Sequence, residues 1–428
     1  MAADRLDRAL GRLDALVNWE RRDRGGGMDR SLEPVRDVLE RVGAPHRGFN
    51  SVLVGGTKGK GSVCALVATA LDRAGVAVGI YASPHVERVT ERVRLGGEEV
   101  GREALAKALE EALEAREAAL AEGAPGGAAT WFDLVTVAAF LLFAQAEVDW
   151  ALVEVGIGGR LDSTRALDPA VSVVTNVELE HTATLGPTRE AIAGEKAAVV
   201  GENGVLVTGV QEEDEAVWEV LRTTCEAAGA RLVSVPQRGP IEARNLALAE
   251  AVLNELGRLG VRDGDGRPIW RSHLDAEAAA SARLPGRQER FSVAGVPVVL
   301  DCGHTAEAAS LLLEELERDP ELGRKPKLLL ALGREKDAPR LLKAFAGHVD
   351  RCLCSTAPEG RLLDCEELAE RAHEAGHDPE AWDDPEEALD DAITEAAETG
   401  GWVLIFGSFY LAAVLRPRLE RLAADLLD

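Results

Sequence analysis

The chain has 428 residues, 46% of them hydrophobic, enough to fill the cores of two or three domains. Its 74 acidic residues against 48 basic ones give a net charge of −26, which argues against general nucleic-acid binding. No apolar run reaches the length of a membrane span, and the N-terminus MAADRLDRALGRLDALV lacks a secretory apolar core, so a cytoplasmic location with no membrane partner is expected.

Leu6, Leu10, Leu13 and Leu16 recur at helical spacing, as do Leu32, Val35, Val38 and Leu39. The first fifty residues therefore predict two helices, broken at Arg24–Gly27. From Ser51 the pattern alternates. Short apolar runs at Ser51–Val54, Val76–Ile80, Trp150–Val155, Val171–Asn176 and Gly204–Thr208 predict strands, with helical stretches between them. Gly101–Glu122 predicts a long helix ended by Gly123, and Ala124–Ala128 a loop. Pro285-Gly286 marks a second boundary. Beyond it lie a hairpin (Arg290–Val293, Val296–Leu300), a helix from Thr305, a strand Lys327–Leu332, a helix near Arg340–Phe345, and strands Arg351–Cys354 and Trp402–Phe406. The expected fold is α/β: a mostly parallel-sheet domain over residues 1–283, then a smaller α/β domain over 284–428.

The stretch Val52–Ser62, VLVGGTKGKGS, joins a strand to a helix through a glycine-rich turn. Glycines let backbone N–H groups approach anionic oxygens, and the helix start favours negative charge. Gly56, Thr57, Lys58, Gly59, Lys60, Gly61 and Ser62 are thus candidate phosphate-binding residues, with Lys60 as a mobile cation. Three strand ends point the same way. Ser83 follows the strand ending near Tyr81, Glu154 lies at the end of Trp150–Val155, and His181 follows the next strand. Lys196 lies in a helical pattern, where pairing with Glu195 or Glu190 on a surface is the plain reading. Six cysteines, at 64, 225, 302, 352, 354 and 365, form no CxxC pair and no Cys/His ligand spacing, as in free thiols of a reducing compartment.

GTKGKGS resembles the phosphate loop of folylpolyglutamate synthases and dihydrofolate synthases, within the wider group of Mur-type ATP-dependent amide ligases. Further segments match in order: YASPH (Tyr81–His85), TWFD (Thr130–Asp133), VEVGIGGRLDST (Val153–Thr164), ELEHTATLG (Glu178–Gly186), EKAAV (Glu195–Val199), LPGRQERF (Leu284–Phe291), DCGHTAEA (Asp301–Ala308) and FGSFYL (Phe406–Leu411). The resemblance implies that Ser83, Glu154 and His181 hold Mg²⁺, and that Lys196 is carbamylated by CO₂. It also implies that Asn245, Arg287 and Asp301 contact ATP, with the nucleotide between the two domains. Lys60, Lys196 and His304 become the catalytic candidates. In DCGHTAEA the family's Asn-Pro after histidine is replaced by Thr305-Ala306, and in EKAAV Ala198 replaces a glycine.

Acceptor-binding candidates are Thr130, Trp131, Phe132 and Asp133, with Leu161, Asp162 and Ser163, and more loosely Gly27–Arg30. The aromatic pair Trp131 and Phe132 suits either stacking on a flat heterocycle or a helix core. Asn245 suits either an adenosine contact or a helix N-cap. Without the resemblance, Arg287 would read as a surface salt bridge.

The implied activity joins L-glutamate to a folate or dihydropteroate at the expense of ATP, through an acyl phosphate, in a monomer. Two alternatives stand beside it: a Mur-type amide ligase with a non-folate acceptor, and a non-catalytic nucleotide-binding module. A peptidoglycan-precursor ligase is disfavoured because only about 54 residues precede the loop, too few for a UDP-binding domain. A module of the second kind would not need Lys60, Glu154, His181, Lys196 and Asp301 together.

Overall fold

The structure, a computed structural model, describes residues 4–18, 31–282, 284–358 and 361–424. The loosely matched acceptor stretch Gly27–Arg30 and the break Arg24–Gly27 lie outside the described residues. The chain divides into two compact units: Met1–Pro84 with Arg88–Ala282, and His85–Glu87 with Arg283–Asp428. The three-residue visit of His85–Glu87 to the second unit has no counterpart in the sequence pattern.

Unit 1 is built on a sheet whose strands are β1 (Asn50–Gly55), β2 (Val78–Tyr81), β3 (Val93–Leu95), β4 (Glu98–Glu99), β5 (Trp150–Glu154), β6 (Val171–Val174), β7 (Val205–Thr208) and β8 (Arg231–Ser234). Their order is β4-β3-β2-β5-β1-β6-β7-β8. From β2 to β8 every neighbouring pair is parallel, and β3 and β4 add an antiparallel edge. The central strands read VLV, WALV and VSVV because both faces are covered, so no polar alternation survives. On one face Leu105, Leu109 and Leu113 of the helix Arg102–Glu122 join Leu134, Val137 and Phe140 of the helix Trp131–Gln145 in the core. The helix Lys60–Arg73 packs against the helix Ile241–Arg258. Gly123 ends the long helix in the left-handed region, φ 70°, as its sequence position predicts. β3, β4 and β8 were not foreseen, being short or half-exposed.

Register fixes what the sheet presents. Val54 pairs with Glu154, Gly55 with Val174, and Tyr81 with Val153. The ends of β2, β5, β1 and β6 are therefore level. The loops leaving these four strands open on one edge of the sheet, where parallel α/β sheets bind ligands.

Unit 2 has the strands β9 (Glu289–Val293), β10 (Val296–Asp301), β11 (Lys327–Leu330), β12 (Arg351–Ser355), β13 (Pro379–Trp382) and β14 (Val403–Phe406), in the order β13-β12-β11-β14-β10-β9. Only β9 runs antiparallel. The β9–β10 turn holds Ala294 at φ 50° and Gly295 at φ 80°, two consecutive left-handed residues that suit the twist of a tight hairpin. Among the described residues all six cysteines are buried and none forms a disulfide, and no helix is long and apolar enough to cross a membrane.

Gly79 of β2 packs so closely on the helix Trp131–Gln145 that an added Cβ would lie 2.5 Å from two ring carbons of Phe143. Gly79→Ala should therefore lower stability by ~1–3 kcal/mol through overpacking. Urea unfolding checks this, and Phe143→Leu in the same background should restore part of the loss.

Candidate active site

The phosphate loop is held to the sheet by its backbone. Thr57 N–H donates to the Asn176 carbonyl at 3.1 Å, and Lys58 N–H to Asn176 Oδ1 at 3.0 Å. The Lys58 carbonyl accepts from Thr175 Oγ1 at 2.6 Å and from Asn176 Nδ2 at 3.2 Å. Thr57 Oγ1 accepts the Glu178 N–H at 3.1 Å. Thr175 and Asn176 directly follow β6. Sequence reasoning missed both, although a polar pair ending the strand beside β1 was the available signal. Gly59, at φ 83°, caps the helix that begins at Lys60. Lys60 Nζ rests 3.4 Å from the Thr57 carbonyl, at the mouth of its own turn.

Ser83 and Glu154 meet on the neighbouring strand ends. Both side chains are buried, and Ser83 N–H donates to Glu154 Oε2 at 3.0 Å. Burial pushes the Cys64 thiol well above its ordinary range, helped by the Glu154 charge and opposed by Lys60, so both charges act on that one helix position. His181 is exposed and left-handed, φ 48°, at the start of the short helix Thr182–Leu185. Among the described residues no three His, Cys, Asp or Glu side chains cluster as a metal cage. A carboxylate with a neighbouring hydroxyl fits Mg²⁺, which takes few protein ligands and keeps water and phosphate oxygens for the rest.

Lys196 is not the surface lysine that its helix suggests. It is 1% exposed, and its Nζ donates to the Gly56 carbonyl and to Glu180 Oε1, each at 2.8 Å. Glu195, a partner expected from sequence, pairs with Arg160 instead. Burial pushes the Lys196 amine down to about 8; Glu180 opposes the shift and the Lys60 charge adds to it. Burial alone would raise Glu180, but the charges of Lys196 and Lys60 outweigh it and hold the carboxyl below its usual range. The structure thus gathers Lys60, Glu180 and Lys196 around the loop.

The acceptor candidates form a second group. Thr130 caps its helix, with Asp133 Oδ2 accepting the Thr130 N–H and hydroxyl, both at 2.7 Å. Asp133 Oδ1 accepts from Ser163 Oγ at 2.6 Å. Trp131 is core rather than a stacking platform: it is 3% exposed, its Nε1 donates to Asp14 at 3.0 Å, and the Arg92 guanidinium covers its ring. Phe132 is half-buried beside Tyr81, with ring centroids 6.0 Å apart. Asp162 accepts the N–H groups of Ile157 and Thr164 and the Thr164 hydroxyl, and burial raises its pKa despite them. Its visible work is to shape the loop that exposes Leu161. Asn245 lies inside the helix Ile241–Arg258, whose N-cap is Pro240, so the capping account fails. Its amide instead lies against Gly59, where an added Cβ would stand 2.2 Å from Oδ1.

In unit 2, Arg287 lies over the Phe409 ring, 4.8 Å from its centroid, rather than in a surface salt bridge. Asp301 ends β10 and accepts the N–H groups of Gln288 at 3.0 Å and Gly303 at 2.7 Å. Burial raises its pKa against the pull of Arg287 and those bonds. His304 Nδ1 lies 3.2 Å from the Cys302 carbonyl. Phe409 is the contact that sequence reasoning missed here, though it lies within FGSFYL.

A parallel sheet with a phosphate loop at its switch edge, followed by a second α/β unit with an arginine and an aspartate at a strand end, defines a nucleotide-dependent ligase of the Mur type. Residues 286–409 match the Mur ligase, glutamate ligase domain. The chain is 32% identical over 415 residues to the dihydrofolate synthase/folylpolyglutamate synthase of Escherichia coli, covering 90% of each sequence. It is also 32% identical over 436 residues to a probable bifunctional folylpolyglutamate synthase/dihydropteroate synthase of Haloferax volcanii, and there it spans 48% of the relative's length. The bifunctional folylpolyglutamate synthase/dihydrofolate synthase of Yersinia pestis, solved with Mn, AMPPNP and L-glutamate bound, superposes with a TM-score of 0.76 at 27% identity, over 98% of this chain and 99% of that one. The chain belongs to the folylpolyglutamate synthase/dihydrofolate synthase family.

Asn176→Ala removes two side-chain contacts to the Lys58 backbone. It should weaken binding of an ATP analogue by about tenfold, from a net ~1–2 kcal/mol of lost support. Calorimetric titration measures this, and an unchanged affinity would show that the loop stands without this strut.

Proposed function

We propose that the chain is an ATP-dependent ligase, a cytoplasmic monomer that joins L-glutamate to a folate or to dihydropteroate. The observation that carries this reading is the glycine-rich loop itself, with Lys60 at the mouth of its turn and the buried Lys196 amine bonded to its Gly56 carbonyl. The Yersinia pestis relative supports it with a nucleotide analogue, a divalent metal and L-glutamate in one structure.

The acceptor's carboxylate attacks the γ-phosphate of ATP, giving an acyl phosphate and ADP. The amine of L-glutamate then attacks the acyl carbon, an amide forms and phosphate leaves. Phosphoryl transfer needs position and charge neutralisation more than covalent help. The loop's N–H groups and Lys60 hold the phosphates. Asn245, against Gly59, marks the adenosine side, and we assign Arg287 and Asp301 of unit 2 to the nucleotide as well. Arg287 offers a planar, permanently charged fork. His304 orients substrate groups near Asp301.

Glu154, Ser83 and His181 would hold Mg²⁺, which supplies neutralisation of the phosphate charge. For Lys196 we propose a carbamate in the active enzyme. Carbamylation needs the neutral amine, which burial already favours. The acceptor would lie along Phe132, Leu161 and the loop shaped by Asp162, with Thr130, Asp133 and Ser163 holding that wall in place. Trp131 supports the wall from the core.

Lys60→Ala should lower phosphate release in the presence of ATP, L-glutamate and acceptor by about a thousandfold while the fold persists. Near-native turnover would remove the loop from the mechanism. Running the same assay with dihydropteroate and with folates of rising glutamate number separates the two acceptor classes. Glutamate-dependent turnover with neither acceptor, but with some other carboxylic acid, would favour a non-folate ligase.

The carbamate has its own test. Because only the neutral amine reacts, a [13C]carbamate signal after addition of labelled bicarbonate, with Mg²⁺ and an ATP analogue present, should be weak well below pH 8 and rise as pH passes about 8. Lys196→Arg should lack the signal and lose nearly all activity. Full activity in Lys196→Arg would reject the modification.

A further inference from the structure

The helix that carries Lys196, Arg189–Ala197, is closed at its end by a side chain from far back in unit 1. A helix leaves its last carbonyls without partners of its own, so they must be met from elsewhere. Arg165 reaches the carbonyl of the cap residue, Ala198, through Nε at 2.8 Å, and that of Val200 just beyond through Nη2 at 3.1 Å. Its Nη1 donates to the Leu167 carbonyl at 2.8 Å. One planar fork thus joins the helix end to the exit of its own turn, a task that suits guanidinium geometry better than a point charge. A cation at this end also complements the helix dipole.

Arg165 belongs to the loop of the acceptor candidates. It lies in the short turn Ser163–Ala166, and its N–H donates to the Asp162 carbonyl at 2.8 Å. The other end of the same loop meets the same helix end. The Arg160 N–H donates to the Glu195 carbonyl at 3.0 Å, and its exposed guanidinium pairs with the Glu195 side chain. Gly159 lies so close that an added Cβ would stand 2.7 Å from the Glu195 carbonyl and 3.2 Å from that of Lys196. Both bodies are placed in turn by their own contacts. Ser163 Oγ donates to Asp133 Oδ1 at 2.6 Å, and Lys196 Nζ to the Gly56 carbonyl at 2.8 Å. Every group in this series lies within unit 1.

We propose that Arg165 is a positioning residue that locks the acceptor loop to the helix carrying Lys196, and so sets where the acceptor lies relative to the phosphate loop. The proposal rests on the reading of Leu161–Ser163 as acceptor-binding and of Gly56–Ser62 as phosphate-binding. Gly56, Lys196, the helix end, Arg165 and Ser163 form one continuous bonded series between those two places. Attack of a carboxylate on the γ-phosphate needs the reacting atoms held in near contact, and a misplacement of about 1 Å costs on the order of a hundredfold in rate. Arg165 is the fastening that matters most, because it is half-buried and meets backbone carbonyls, whereas the Arg160 side chain pairs on the surface.

Arg165→Met keeps the apolar stem and removes the fork. In the full chain, kcat for phosphate release with ATP, L-glutamate and dihydropteroate or a folate should fall about a hundredfold, while the Kd values of an ATP analogue and of the acceptor, each titrated alone, stay within about threefold of native. Hydrogen exchange should quicken together in residues 163–167 and 195–200. Arg165→Lys returns the charge but reaches fewer carbonyls, so it should recover part of kcat. If Arg165→Met does not fold, Arg165→Lys becomes the test, with kcat lowered about tenfold and the same unmoved affinities. Near-native kcat in the folded variant would overturn the lock, and so would exchange that quickens in one segment only. A purely structural role has a different mark, which also overturns the proposal: a lower thermal midpoint with kcat unchanged below it, or both affinities lost along with kcat. Leu161→Ala and Ser163→Ala test the reading underneath. If neither weakens acceptor binding, the acceptor assignment of the loop fails, and the paired exchange measurement alone decides whether Arg165 joins loop and helix.

Discussion

At Gly56 an added Cβ would stand 1.9 Å from the Thr175 hydroxyl. This approach, open only to glycine, lets the loop after β1 lie flat on the residues that leave β6. Thr175 and Asn176 then hold both sides of the Lys58 peptide, and the Gly56 carbonyl turns to the buried Lys196 amine. Loop, strand end and the helix carrying Lys196 are in this way one bonded unit. A larger residue at 56 would separate all three, whatever its chemistry. The same reasoning holds at Gly59, where the helix Ile241–Arg258 comes within reach through Asn245.

That closeness also answers a problem of charge. A chain of net charge −26 must attract anionic substrates, so positive potential has to be local. By count the sequence holds eight lysines, and three of them, Lys58, Lys60 and Lys196, are in the loop or bonded to it. The arginines work mostly elsewhere. Arg222 with Glu219, Arg102 with Asp4, and Arg351 with Glu380 are ion pairs outside the site, and exposed ones of this kind contribute little each. Their benefit is to leave the surface acidic without leaving it uncompensated.

The sheet of unit 1 was legible because its signal is local: a fully covered strand is a short apolar run wherever it occurs. The phosphate loop was legible for the same reason, since glycine spacing encodes its turn. The features that escaped depend on distance along the chain. Asn176 matters because β6 lies beside β1, more than a hundred residues earlier, and Glu180 because it meets Lys196 in space. Lys196 read as a surface residue because its helix exposes neighbours such as Glu190, and the pattern does not tell which turn faces the loop. Trp131 read as a possible stacking face, but its indole N–H found Asp14, at the end of the helix Arg5–Asp14 and more than a hundred residues earlier. The crossing of His85–Glu87 was invisible, because three residues carry no periodicity.

Charge reversal at Lys196 has a consequence for the whole edge of the sheet. As an ammonium, Lys196 satisfies the Gly56 carbonyl and Glu180 at once. As a carbamate its nitrogen would keep one N–H, enough for the Gly56 carbonyl or for Glu180 but not for both, and would carry two anionic oxygens beyond it. Glu180 would then face a like charge close by, which a buried site tolerates only with a new donor or a cation. Modification would have to proceed together with movement of Glu180 and arrival of positive charge, and Lys60, whose charge already acts on both groups, is one such source. A site poised in this way would favour the carbamate only when its anionic substrate and that substrate's counter-charge are both present.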